Sequence, residues 1–437
     1  MSPFAMTATE YLETPRGQYG RFRWRRMRGY NYYIFDREPP GQGTDNAQKA
    51  DFQHEILEKM KEHNRRSYRS KIVAEIWLDP TAQNPPHIHT AMKKLLDIFE
   101  TPLPELGIKR KGLIYQNDNQ ISYLSARYHL GSGERGIRAK FAPFRHFVDN
   151  LKLAYEIVSG QYDDYIDRYE FERKMKDLNV YREDHDFSDA MEDFRRHEAE
   201  EERFIEHSSI KAYNSMHFMK KMRAQEALLS MSKLSVNDLY NVFNTSEIFQ
   251  NNVHLRELAE IVAGWVTDSP IRMQLPSLPT EEGQRNQYKE QIREYMKGFR
   301  THYDILQPLY IPVIIEVIYK PPIASEGFYK DLDNIIRDFI LPTFHDEFKP
   351  PPTHGSVFSS AEYEDGDPLE GMIRDIPKSV PYSVAGYEIV EIPRHSDDEE
   401  DGFLVVGLSP GSYASHSLWF RIDEAIEKWG ECIRDAC

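Results

Sequence analysis

A repeated order of elements constrains this chain more than any other feature. KIVAEIWLDP, from Lys71 to Pro80, alternates as a strand does; after the loop TAQNPPHIH comes TAMKKLLDIFE, whose apolar residues Met92, Leu95, Leu96 and Phe99 recur at helical spacing. Far downstream, LYIPVIIEVIYKPP (Leu309 to Pro322) reads as a buried strand ending in prolines. The loop IASEGFYK, the opening DLDN and the helix IIRDFILPTF follow it. At 437 residues the chain also exceeds the size at which single cores usually stop growing, so more than one domain is expected. The repeat predicts an α/β (α+β) protein with two similar units, over 70–143 and 305–437. A basic, aromatic-rich segment with a helix occupies 1–69, and a mainly helical, charged domain occupies 144–304.

Inside the first unit, GLIYQNDNQISYLSARYHL predicts a strand pair, and GSGERG turns it into the strand IRAKF. Gly131, Gly133 and Gly136 spell GxGxxG, but a dinucleotide site needs a helix to begin there. The alternating IRAKF and Pro143 predict a hairpin turn instead. In the middle domain, His197 and Glu198 hint at a zinc helix, yet the next histidine is His207 and the four-residue spacing fails. The acidic run SDDEEDG (Ser396 to Gly402) reads as a solvated loop between two further strands, VAGYEIVEI and FLVVGL.

Several function classes drop out early. The best membrane-span candidate, Leu309 to Tyr319, is too short and carries Glu316 at its centre. No basic region followed by an apolar stretch opens the chain, so the cytoplasm is the expected compartment. Only Cys432 and Cys437 are present, too few for a disulfide framework or a four-cysteine zinc site. There is no phosphate loop of the GxxxxGK[ST] type, no GxSxG and no CxxC.

The net charge of −16 argues against a polyanionic partner only until its distribution is read. Residues 1–150 hold 24 Lys and Arg against 17 Asp and Glu, whereas the remainder holds 31 against 54. The stretch Thr14 to Tyr33 interleaves Arg16, Arg21, Arg23, Arg25, Arg26 and Arg28 with Tyr19, Phe22, Trp24 and Tyr30. Cations for phosphates and flat rings for bases suit a nucleic-acid surface; the same alternation also suits a solvated strand whose rings pack on the core.

Asp331, Leu332, Asp333 and Asn334 raise the chemical question. With Asn334 opening the helix, the two aspartates point the same way as i and i+2 of an extended segment. They then offer two anionic oxygens to a hard cation such as Mg²⁺, or Mn²⁺ in its place, and Arg337 could reach a phosphate. The competing reading makes Asp333 a helix cap and leaves Arg337 in a surface ion pair.

A proline-terminated strand, DLDN, a helix with a basic residue three after the asparagine, and Asn117-Asp118-Asn119-Gln120-Ile121 together resemble the RusA family of Holliday junction resolvases. The resemblance covers about 70–130 and 305–410. It implies an internal pseudo-dimer of RusA-like units, the first degenerate. It also implies a Mg²⁺-dependent endodeoxyribonuclease for branched DNA, of use in recombination and repair. In the first unit His87 and His89 fall where Asp331 and Asp333 stand, and Lys93 falls at Arg337; two such histidines could also bind a transition metal. Where the second unit should carry a third carboxylate it has Ala385 and Gly386, with Glu388 at the glutamine position. Asp118 could complete a site shared between halves, or Asp346 or Glu347 could do so locally. A non-catalytic nucleic-acid-binding protein and an interaction scaffold are the other functions compatible with these losses.

Overall fold

A computed structural model describes residues 14, 17, 20, 21, 31–41, 43–82, 84–129, 135–158, 210–231, 272–323, 331–349, 382–394, 402–411 and 416–436. Arg23, Arg25, Arg26 and Arg28, the charged stretch around His197 and His207, and most of SDDEEDG lie outside them; Arg21 is described and exposed.

The described residues form one mixed sheet with helices on both faces. The strands are β1 (Asn31–Phe35), β2 (Ile72–Asp79), β3 (Ile121–Tyr128), β4 (Gly136–Pro143), β5 (Arg272–Leu275), β6 (Val313–Lys320), β7 (Val384–Glu391) and β8 (Phe403–Pro410). Their order across the sheet is β1-β4-β2-β3-β7-β6-β8-β5. The helices are α1 (Asn46–Glu62), α2 (Ile88–Glu100), α3 (Phe144–Val158), α4 (Ile210–Met231), α5 (Arg285–His302), a composite α6 and α7 (His416–Ala436). Helix α6 is α-helical over Leu332–Ile335, π-helical over Ile336–Ile340 and α-helical again over Leu341–Glu347. The π stretch ends just before Pro342, whose missing N–H and bulky ring disturb the preceding turn of an α-helix.

The element order β, α, β, α, β, β, α therefore occurs twice, as β1 to α3 and as β5 to α7, with α4 between. In each half a parallel pair, β2–β3 or β6–β7, is flanked by an antiparallel strand, β4 or β8. Both parallel ladders slip register at their first pair, at Ile72/Val73 and at Val313/Ile314. The halves meet through antiparallel β3 and β7, with Ser125 opposite Glu388. Strand β5, from the stretch read as a helical middle domain, is hydrogen-bonded to β8, and α5 packs against the last part of α6.

Helices α2 and α6 cover β3 and β7 at the sheet's centre. Their apolar faces, with Met92, Leu95, Leu96 and Phe99 on α2 and Ile335, Ile336, Phe339 and Ile340 on α6, are fully buried against strand residues such as Leu124 and Tyr387. On the opposite face Phe147 of α3 stacks on Tyr123, their ring centroids 4.8 Å apart.

Two local expectations fail. GLIYQNDNQISYLSARYHL holds a single strand, β3, preceded by a 3-10 turn over Asp118–Gln120. GSGERG does not close a hairpin either, because β2 lies between β3 and β4. Pairing β2 in parallel with β3 and antiparallel with β4 lets the central strand bury both faces, a non-local gain that turn residues do not announce.

Candidate metal centre

The centre lies where the C-terminal ends of β6 and β7 meet the N-terminal end of β3. Asp118, Asp331 and Asp333 each present an oxygen there, all within 4.8 Å of one another. Two of these residues come from the second half and one from the first.

Asp118 is held by the turn that carries it. The Asn117 side chain accepts from the Asn119 N–H at 2.8 Å, and Gln120 Oε1 accepts from the N–H groups of Gln116 and Asn117 at 2.6 and 3.1 Å. Gln120 Nε2 in turn donates to the carbonyl oxygens of Tyr68 and Ser70, at 3.3 and 3.0 Å. With both flanks tied down, Asp118 is buried, and its Oδ1 has no hydrogen-bond partner.

The helix begins earlier than the sequence suggests. Asp331, not Asn334, takes the N-cap position of α6, and Asp333 lies inside the first turn. Neither carboxylate is used as a cap: the Asp331 side chain makes no capping hydrogen bond and accepts instead from Asn334 Nδ2 at 2.8 Å. Asp333 is 4% exposed, and its Oδ2 also has no hydrogen-bond partner. Buried polar atoms are nearly always satisfied, so two buried carboxylate oxygens without a hydrogen bond in one cluster leave room for a further partner beside Lys93, whose Nζ lies 3.7 Å from Asp333 Oδ2.

Lys93 of α2 supplies a cation at the centre. Its Nζ lies 3.4 Å from Asp118 Oδ2, 3.7 Å from Asp333 Oδ2 and 3.5 Å from Asp97 Oδ1. Burial disfavours that ammonium, but Asp333, Asp118 and Asp97 outweigh it and hold its pKa above the ordinary lysine value. One ammonium does not balance these carboxylates. Burial, with repulsion from Asp118 and Asp331, pushes Asp333 up to about 6 despite Lys93. Asp331 is raised as well, by burial first and then by Asp118.

Glu100 escaped the sequence reading. It ends α2, within hydrogen-bonding reach of Asp118, and burial together with Asp118 pushes it up to about 7. Its spacing from Lys93, seven residues along a helix, was a usable signal, since i and i+7 share a face. Arg337 is engaged elsewhere: its Nε and one NH₂ donate to Asp338 at 2.8 and 3.2 Å. The local alternatives for a third carboxylate also face away, Asp346 toward Arg293 at 2.9 Å and Glu347 toward Arg300 at 3.6 Å.

His87 and His89 gather at the other end of the sheet. The His87 ring lies 5.4 Å from His89, 5.3 Å from His345 and 3.8 Å from Tyr382, centroid to centroid. His345 Nδ1 is 3.1 Å from Ser383 Oγ. Burial, helped by neighbouring cationic forms, lowers His89 and His345 to about 4, so these imidazoles are neutral at pH 7. The strand register also corrects the placing of the second unit's missing carboxylate. Asp118 stands three residues before β3, and the same count before β7 falls on Pro381, outside the described residues, rather than on Gly386. Glu388 matches Ser125 and pairs with Arg127 across the join.

The donor set is all oxygen, anionic and largely buried, which suits a hard divalent cation and not a soft one. Comparison with protein-family models, curated proteins and solved structures finds no match for this chain. No helix among the described residues is long and apolar enough to cross a membrane.

Proposed function

We propose that this chain is a RusA-like, divalent-metal-dependent endodeoxyribonuclease of the cytoplasm that hydrolyses phosphodiester bonds in branched DNA, its two units acting as an internal pseudo-dimer. The convergence of Asp118 with Asp331 and Asp333 carries the reading, because a carboxylate from one half completes a pair from the other around unsatisfied oxygens. These three residues would hold Mg²⁺ or Mn²⁺, which when bound supplies charge neutralisation at a phosphodiester and an acidified water. Asn334 holds the Asp331 carboxylate in place, and the Asn117–Gln120 turn does the same for Asp118. Lys93 stands beside both buried aspartates, where an ammonium also meets phosphate oxygens. Arg21, with Arg23, Arg25, Arg26 and Arg28, would bind the DNA backbone.

Incubation of the purified chain with branched and linear DNA, with Mg²⁺ or with EDTA, tests this. Metal-dependent cleavage of the branched substrate is expected; its absence with both Mg²⁺ and Mn²⁺ removes the enzyme reading. Replacing Arg23, Arg25 and Arg26 by alanine should flatten the salt dependence of binding by about 0.9 in log–log slope for each phosphate that is no longer neutralised.

One observation favours a second reading. Lys93 Nζ already lies between Asp118 and Asp333, so a protein that had abandoned cleavage could use it to neutralise the cluster and keep only DNA binding. Such a protein would shift branched DNA on a gel, with steep salt dependence, and cut nothing.

A further inference from the structure

The two halves place matching backbone positions at opposite ends of one sheet, so the histidine end can be read residue by residue against the acidic end. His87 is the N-cap of α2 as Asp331 is the N-cap of α6. His89 is then the second residue of its helix as Asp333 is of its own, and Lys93 and Arg337 are each the sixth. Pro381 stands at the count that Asp118 occupies before its strand. Two helix-borne carboxylates at one end are thus matched by two histidines at the other, and the residue that answers Asp118 by count, Pro381, lies outside the described residues and has no metal-ligating side chain.

Two of the three imidazoles at the histidine end are engaged with the second half. Among the described residues the third, His89, has a buried Nδ1 with no hydrogen-bond partner; only the His87 and His345 rings gather with it, and no carboxylate joins them in a ligand group. His87 lies against Tyr382 and His345 against Ser383. The carboxylates whose fields reach these rings are committed to arginines: Asp338 to Arg337 and, at 2.6 Å, to Arg285, and Asp346 to Arg293. Among the described residues only the acidic end draws three metal-ligating side chains into one group.

We propose that the chain has one cleavage centre rather than two, so that each productive encounter breaks one DNA strand and leaves a nick; this rests on the nuclease reading above. In that step the oxygen of a water molecule forms a bond to phosphorus and one P–O bond to a sugar oxygen breaks. The leaving oxygen takes up a proton and the water gives one up, leaving one phosphomonoester end and one hydroxyl end. The histidine end packs His87 of the first half against His345 and Tyr382 of the second and takes no part in the chemistry.

A supercoiled plasmid with an extruded inverted repeat reports the number of cuts, because one cut gives an open circle and two cuts across the junction give a linear molecule. With plasmid in excess over the full-length chain, open circles should form first, and linear molecules should appear only after further, independent nicks. Equilibrium dialysis with Mn²⁺ should find a single ion per chain, lost in Asp331→Asn. Asparagine matches aspartate in shape, can still accept from Asn334 Nδ2 through its Oδ1 and removes only the charge, so this variant should fold and show no residual cut. His87→Asn should cut as the wild-type chain does. Linear product formed as fast as open circles, two Mn²⁺ ions per chain, or nicking retained by Asp331→Asn would each overturn the single-centre proposal while leaving the nuclease reading standing. A wild-type chain that cuts no DNA overturns the nuclease reading itself, and the inference with it.

Discussion

The two halves share a backbone plan and differ in what they mount on it. Across the centre of the sheet runs a row of buried polar residues: Lys140 opposite Glu75, then Ser125, Glu388 and Glu316, then Gly407 and, beyond it on β5, Arg272. Glu75 and Glu316 hold matching positions in their halves, yet the first faces a lysine and the second a glycine. In the first half Lys140 Nζ donates to Glu75 Oε1 at 2.6 Å; in the second Ser409 Oγ donates to Glu316 Oε1 at 3.0 Å. The same asymmetry recurs at the helix starts, where aspartates on α6 answer histidines on α2. A repeated backbone thus fixes where side chains stand without fixing their chemistry, and only one end needs to stay acidic for a site to exist.

The sharpest way to test the buried row is to remove its cation. Lys140→Met leaves Glu75, 1% exposed, without its ammonium, and should cost ~3–5 kcal/mol in denaturant unfolding. Ser409→Ala, the matching lesion in the second half, removes a neutral donor and should cost only ~1–3 kcal/mol. Equal losses would mean that the two glutamates are held in the same way after all.

Next in size are the centre's own carboxylates. Removing a ligand should cost at least the ~10–100-fold that outer-sphere partners of metals cost, so Asp118→Asn and Asp333→Asn should each lower Mg²⁺-dependent cleavage by that much or more. Asp118 is the telling one. Near-normal cleavage by Asp118→Asn would show that the second half works alone, and the composite centre would have to be given up.

Much of this plan is visible in the residues, and the gaps have physical causes. Helix α2 was legible from its periodic apolar face, β2 from its alternation, and β6, β7 and β8 from short runs of apolar residues buried on both faces; the pairing of Asp331 with Asp333 was legible because they are neighbours in the chain. Strand order was not, since the insertion of β2 between β3 and β4 is a long-range pairing that leaves no local mark. Strand β5 was missed for a different reason: RMQL alternates polar and apolar residues, but over only four positions, too few to set a strand apart from a loop. Asp118 could be linked to the other aspartates only through a family resemblance, because a contact spanning the two halves of the chain has no periodicity. Lys93 was placed opposite Arg337 by counting, and the fold then set it against the other half's Asp333, which no count along one helix predicts.

The smallest of these effects, and the one that separates a metal centre from a lysine-neutralised cluster, is the dependence on pH. In the metal-free fold Asp333 is raised to about 6 and Glu100 to about 7, with Asp331 raised too. A carboxylate whose folded pKa exceeds its unfolded value opposes folding when ionised. That penalty is present above the folded pKa, and it is relieved as pH falls from about 7 toward the ordinary carboxylate range near 4. Metal ions compete with protons for the same oxygens, so Mg²⁺ affinity should weaken by about tenfold per pH unit for each proton displaced as pH falls through 7 and 6. Thermal unfolding with saturating Mg²⁺ and with EDTA, between pH 8 and pH 5, reads both trends at once. Mg²⁺ should raise Tm clearly at pH 8, and the gap should close toward pH 5 because the metal-free protein gains stability while the ion loses its site. If Lys93 alone neutralises the cluster, the two melting curves coincide at every pH, and the acidic end holds no metal.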